Sequence, residues 1–309
     1  MMSGKHPVSL ALGALSEILE REKLRGKTHL AMREETAKTL NEMPMSFMMA
    51  SQKARIQTVP AAAPASATAK LPGKDAESPA PADGTSPVPE RTEAWARKEL
   101  NAIFKEVKSC EVCRSLGTLR ETVVFATGNP MADLMFIGEA PGAEEEKERK
   151  PFVGPAGQKL TRIIKAMGLS REEVYISNIV KFRPKKGDGR FQGTSNRKPD
   201  PTEIEACIRF LRREIAVVAP KIIVALGATA AEGLLQRGGP ISSLREQTHE
   251  FAGVPVVVTY HPSFLLRQES EPDAEKARAS KRKVWEDMLK VMEQLGMPVS
   301  EKQRGFFSK

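Results

Sequence analysis

ADLMFIGEAPG, residues 132–142, is a short apolar run that stops abruptly at Gly-Glu-Ala-Pro-Gly. An apolar run of this length, closed by glycine and proline, reads as a strand buried on both faces. Three further runs have the same character: VYISNIV (174–180), KIIVALG (221–227) and VPVVVTY (254–260). Segments with helical spacing of apolar residues separate them. GQKLTRIIKAMG (157–168) stops at Gly168, DPTEIEACIRFLRREIAVVA (200–219) opens on acidic residues, and ATAAEGLLQ (228–236) is shorter. EAWARKELNAIFKEVKSC (93–110) precedes the strands and EKARASKRKVWEDMLKVMEQLG (275–296) follows them. In the 200–219 segment, Thr202 is expected before the first turn, with Glu203 and Glu205 suiting the positive helix end. Alternation of apolar strands with helices predicts an α/β fold, a three-layer sandwich with a four-stranded parallel sheet and helices on both faces. No internal repeat is evident.

Outside this core the composition changes. Residues 1–55 form an N-terminal extension in which Val8, Leu12, Leu15 and Leu19 predict a short helix, a place where a protein partner could dock. Residues 56–91 are rich in Ala, Pro, Ser and Thr without an aromatic residue, so a disordered linker is expected. The folded domain is expected over 92–296, followed by a loosely attached, flexible tail at 297–309.

The 309 residues carry 48 Lys and Arg against 39 Asp and Glu, a formal charge of +9. A basic excess suits a polyanionic partner, although a basic protein without one is equally compatible with it. Three cysteines, Cys110, Cys113 and Cys207, are too few and too uneven for a disulfide framework. No apolar run approaches the roughly 18–20 residues of a membrane span. The expectation is a cytoplasmic, monomeric protein without a membrane partner.

Ligands of open parallel sheets bind beyond the carboxyl ends of the strands. There the chain carries GEAPG (138–142), KPFVGPAGQKL (150–160), SNIVKFRP (177–184) with NRKP (196–199), LGATAAE (226–232) and HPSFLLR (261–267). Taken singly, each has an ordinary structural reading: a tight turn, a core aromatic, a strand amide bonded to nearby backbone, a structural histidine. Taken together, in this order, they resemble the uracil-DNA glycosylase superfamily, most closely its family 4, the iron-sulfur type. The resemblance runs from about Cys110 to Trp285.

The resemblance implies an enzyme of base-excision repair that extrudes a uracil nucleotide and hydrolyses its N-glycosidic bond. By similarity, Gly138, Glu139 and Ala140 line the pocket, and Glu139 helps place the attacking water. Phe152 stacks on the base, Asn178 reads its O4 and N3–H, and His261 donates to O2 as negative charge develops. Glu145 matches a second acidic position that could take part in catalysis. Leu265 and Leu266 would fill the vacated stack, with Arg267 near phosphate. The Gly-rich basic stretch PKKGDGRFQGTS is expected to be a mobile loop following DNA phosphates, with Lys185, Lys186, Arg190, Arg197 and Lys198 as contacts. In the related covalent-capture branch a histidine of this loop bonds to the sugar; none occurs between residues 182 and 199.

Family 4 also implies a 4Fe-4S cluster on four thiolates. Cys110, Cys113 and Cys207 match three ligand positions, but Phe182 stands at the remaining one. A cluster with an outside ligand, a zinc ion and no metal at all stay open at this point. Two other functions also stay open: a module of the same fold that binds damaged bases without cutting, and an unrelated nucleotide-binding α/β protein. The latter lacks GxGxxG and GxxxxGK[ST].

Overall fold

The computed structural model of the chain describes residues 91–308; the expected helix at 7–23 and the linker up to residue 90 lie outside them. The first element, α1 (Glu93–Ser109), is capped by Thr92, whose side chain accepts from the Trp95 N–H, and turns Ala96, Leu100, Ile103 and Val107 inward. A one-turn helix α2 (Glu111–Ser115) begins at Cys110.

Six strands make the main sheet. They are β2 (Ala126–Gly128), β3 (Leu134–Gly138), β4 (Tyr175–Asn178), β6 (Ile222–Leu226), β7 (His249–Phe251) and β8 (Val254–Thr259). Their order is β2-β4-β3-β6-β8-β7. The inner four, β4-β3-β6-β8, are mutually parallel and are the four apolar runs of the sequence. The expectation of a four-stranded sheet therefore needs correction: β2 and β7 add an antiparallel strand at either edge. Each has three residues, too few to show an alternating pattern. A separate two-stranded sheet pairs β1 (Leu119–Val123) with β5 (Phe182–Pro184).

Helices cover both faces, and the pleat sorts the side chains between them. Leu134, Phe136, Ile176, Ile222, Val224 and Leu226 share one cluster with Leu160 and Ile164 of α4 (Pro155–Ala166) and Trp285, Met288 and Met292 of α9 (Ala274–Gln294). Opposite lie α5 (Pro201–Val218) against β4 and α6 (Ala228–Leu235) against β6. The cap of α5 differs from expectation. Asp200, not Thr202, is the N-cap, in a reciprocal capping box with Glu203, while the Thr202 hydroxyl donates to Asp200. Asp satisfies the N3 amide as Thr would, and Pro201 at the first helical position fixes the start two residues earlier.

The remaining helices are α3 (Ala143–Glu148), α7 (Ile241–Arg245), α8 (Pro262–Ser270) and α10 (Glu301–Arg304). The segment around α10, expected to be loose, is held against the domain. Trp285 donates its indole N–H to the Gln303 carbonyl at 2.5 Å, Gln303 donates to the Ala166 carbonyl at 3.0 Å, and the Phe306 ring lies 5.1 Å from Trp285. The aromatic contact was not legible because its partner lies 21 residues away on another helix.

Candidate active site

Register brings the strand ends together. Gly138 at the end of β3 pairs with Asn178 at the end of β4, and Leu226 at the end of β6 pairs with Thr259 at the end of β8. The chain beyond β4 stays pinned to the turn after β3, because the Ile179 and Val180 amides donate to the Gly138 and Glu139 carbonyls.

Gly138 shows how closely the site residues converge. A Cβ there would lie 2.4 Å from Asn178 Oδ1 and 2.4 Å from Phe152 Cζ, so any side chain would collide with both. Asn178 is buried, and its Oδ1 has no hydrogen-bond partner among the described residues. A buried acceptor left unpaired costs about 1–3 kcal/mol and marks a place where a ligand donor fits.

Phe152 is buried at the edge of the core and adopts φ +54°, left-handed backbone that a bulky residue rarely takes. Two charged side chains hold it there. Arg171 donates to the Pro151 and Phe152 carbonyls, each at 3.0 Å. Glu145 accepts from the Val153 and Gly154 amides at 3.0 and 2.9 Å and from the Gly142 amide at 3.1 Å. Three backbone donors occupy the Glu145 carboxylate. Glu145, expected as a second acid in catalysis, ties the Phe152 loop to the GEAPG turn. Arg171 was missed, having no signal beyond an ordinary surface arginine.

Glu139 differs. Burial pushes its carboxyl above the usual range, against the hydrogen bond from the Thr229 side chain and the attraction of Lys198, while nearby Glu232 adds to the rise. The partner of Glu139 is the Thr229 side chain, where Glu145 has three backbone amides. Thr229 was missed, although it lies in the strand-end segment LGATAAE.

His261 is the N-cap of α8. Its Nδ1 accepts from the Ser263 N–H at 3.1 Å and lies 2.8 Å from Ser263 Oγ. A neutral ring that accepts at Nδ1 carries its proton on Nε2. Burial, with Arg267 nearby, lowers its pKa to about 4, so it is uncharged at neutral pH. The ring lies 5.8 Å from that of Phe152. Gly227, at φ +93°, lets the backbone pass: a Cβ there would come within 3.0 Å of His261 Cβ. Behind His261, Thr259 donates to Asp287 at 2.6 Å, and Arg245 completes that buried group.

Beneath Asn178 is a closed ionic network. Lys181 and Glu214, both fully buried, pair at 2.5 Å. Lys181 also donates to Ser177 Oγ at 2.7 Å and to the Asn178 carbonyl at 2.8 Å, while Tyr175 and Ser177 donate to Glu214. The strand residue that presents the amide is thus fixed from behind by charge.

The expected DNA contacts divide. Lys186 and Arg190 are exposed, and Arg267 projects from α8 with one bond to Ser263. Lys185 donates to the Gly117 carbonyl, and Lys198 pairs with Glu232 at 2.6 Å. Arg197 is corrected outright. It grips Glu203 with two nitrogens at 2.6 and 2.8 Å and bonds the Thr118 and Lys198 carbonyls, which makes it a structural clasp. Leu265 is also corrected: it is core, only 3% exposed, so it cannot wedge into DNA, and Leu266 is half-buried. The apolar side of α8 faces α4 and α9, which the spacing of HPSFLLR did not reveal.

The three cysteines do meet. Cys113 Sγ lies 3.8 Å from Cys207 Sγ, the Cys113 amide donates to Cys110 Sγ, and Arg209 donates to Cys110 Sγ at 3.1 Å. Cys113 shares its proton with Cys207, which raises the first thiol and lowers the second. At the fourth position the Phe182 ring is buried. Among the described residues no group of three or more His, Cys, Asp or Glu is disposed to hold a metal ion. These residues do not fit a cluster that needs four thiolates.

Comparison with known proteins agrees with the geometry. A family model described as the uracil DNA glycosylase superfamily matches residues 125–289. The type-4 uracil-DNA glycosylase of Thermotoga maritima is 40% identical over 202 residues, 60% of this chain and 96% of that protein. The type-4 enzyme of Sulfurisphaera tokodaii is 39% identical over 176 residues, 54% of this chain and 76% of its own length. That of Archaeoglobus fulgidus is 35% identical over 192 residues, 58% and 92% of the two chains. No helix among the described residues is long and apolar enough to cross a membrane.

Proposed function

This chain belongs to the uracil DNA glycosylase superfamily, and on that premise we propose that it hydrolyses the N-glycosidic bond of deoxyuridine in DNA, releasing uracil and leaving an abasic site for base-excision repair. The observation that carries the proposal is the meeting of Phe152, Asn178 and His261 at the strand ends, with the buried Asn178 Oδ1 unpaired.

An extruded uracil lies against the Phe152 ring, its N3–H donating to Asn178 Oδ1 and its O4 accepting from the same amide. Cytosine presents a bare N3 and an amino group at those positions. It leaves the amide unpaired and sets donor against donor, which a buried site penalises heavily. His261 directs Nε2–H at O2, where negative charge gathers as the glycosidic bond breaks. A neutral donor aimed at charge that appears only in the transition state raises the rate without tightening ground-state binding. Glu139, as carboxylate, orients the water that adds to C1′ of the sugar. Lys198, which lies near Glu139, is held by Glu232 and is not available to attack C1′, so the strand stays intact. The enzyme acts as a monomer on DNA, with Lys185, Lys186, Arg190 and Arg267 toward phosphate. No step runs through a metal.

The test is a uracil-containing oligonucleotide treated with the full chain and then with alkali. Cleavage at the uracil position is expected; its absence on both single- and double-stranded substrate over a range of salt would sink the enzymatic reading.

A further inference from the structure

In the stretch from Lys185 to Ser195 the usual order of polarity is inverted. Gln192 is buried, donating to the Pro184 and Ser195 carbonyls at 2.8 and 3.0 Å, while its neighbour Phe191 is 97% exposed. The loop that presents this ring is pinned at both ends. Arg120 donates to the Gly189 carbonyl on one side, and Arg183 donates to the Gly193 and Ser195 carbonyls on the other. The ring therefore stands on a fixed platform, with the exposed side chains of Lys186 and Arg190 close in sequence.

The exit arm of the loop borders the proposed pocket. Asn196 accepts from Arg183, and a Cβ on Gly142 would lie 3.0 Å from Asn196 Nδ2. Phe191 and Asn196 are five positions apart, a span of at most about 17 Å, or roughly five stacked base steps. A flat apolar ring beside cations, held near the proposed site, has the makings of a base-stacking platform.

We propose that Phe191 stacks on an unpaired base of the DNA strand within a few nucleotides of the extruded uracil, taking a part in strand binding that α8 cannot supply with Leu265 buried. The proposal rests on the reading of the chain as a DNA glycosylase.

The test compares Phe191→Ala and Phe191→Trp with the unaltered full chain. One probe is a uracil-free single-stranded oligonucleotide; the others are the same sequence with one uracil, single-stranded and fully paired. Phe191→Ala is expected to weaken single-strand binding about tenfold, the loss falling on KM rather than kcat and being smaller on the duplex. The salt dependence of binding should keep its slope, because no charge is lost. Phe191→Trp should restore affinity, with fluorescence quenched by the uracil-free strand beyond any change in the parent protein. Unchanged binding by Phe191→Ala, an equal loss on both substrates, a shallower salt slope, or an unperturbed tryptophan would each overturn the proposal. Absence of uracil release by the unaltered protein would instead overturn the glycosylase reading, while strand binding and quenching would still report on Phe191.

Discussion

The strand-end site and the thiol corner differ in what they leave unbonded. At the strand ends the charged supporting groups are engaged, while the amide oxygen between them is not. Glu145, Arg171, Lys181 and Glu214 spend their charges on backbone and on one another. Asn178 Oδ1 has no partner among the described residues, and His261 accepts at Nδ1 from the Ser263 N–H. In the thiol corner the thiols hydrogen-bond among themselves, and an aromatic ring packs where a fourth donor would be. A buried acceptor without a partner marks where a ligand donor fits, and the thiol corner offers three sulfurs where a cluster needs four.

The largest effect that would break this contrast is on the pocket side. His261→Ala removes the donor proposed to face O2 and should lower kcat about 10²–10³-fold in single-turnover release of uracil. A loss under threefold would show that the imidazole does not face the base. Asn178→Asp places a carboxylate against O4, and a drop of about 10²-fold in kcat/KM is expected.

Next comes the frame. Replacing Lys181 with Met strands Glu214 as an uncompensated buried charge, and a destabilisation of about 3–5 kcal/mol should appear in denaturant unfolding. Glu145→Gln keeps the volume but turns a donor toward a backbone N–H. About a tenfold fall in kcat/KM, with the fold intact by circular dichroism, would mark Glu145 as positioning.

The pH profile separates the two pocket acids by sign. Glu139 acts as carboxylate and its pKa is raised, so activity should fall on acidification sooner than an ordinary glutamate would dictate. That limb should disappear in Glu139→Gln, whose rate is low throughout. His261 must be neutral, and with a pKa of about 4 it should add no limb between pH 5 and 8.

The smallest effect belongs to the thiol corner. Cys113→Ser should change uracil release by less than twofold, and protein purified anaerobically should show no visible absorbance. Iron bound at four atoms per chain would erase the contrast.

The parts of this fold that repeat were legible in sequence; the parts that depend on one distant partner were not. The four parallel strands are continuous apolar runs, and their residues matched the sheet. The edge strands β2 and β7 have three residues each and carry no period. Asn178 and His261 could be named because the motifs around them, at or just after a strand, carry the family resemblance. The corrections arose where a side chain has two equally ordinary fates. Arg197 could reach phosphate or Glu203, and Leu265 could face solvent or α4; only the packed chain decides. Phe191 was readable as a letter but not as exposed, since a lone aromatic in a glycine-rich loop carries no period to say which way it turns.

Phe152 sits in a left-handed conformation that Arg171 and Glu145 enforce from opposite sides. The ring is therefore stationary before any substrate arrives. A base entering the site has no moving part to wait for, so capture should be timed by how often the duplex breathes open at uracil. Mismatched or frayed uracils should then be processed faster in proportion to their opening frequency, with no lag assignable to the protein.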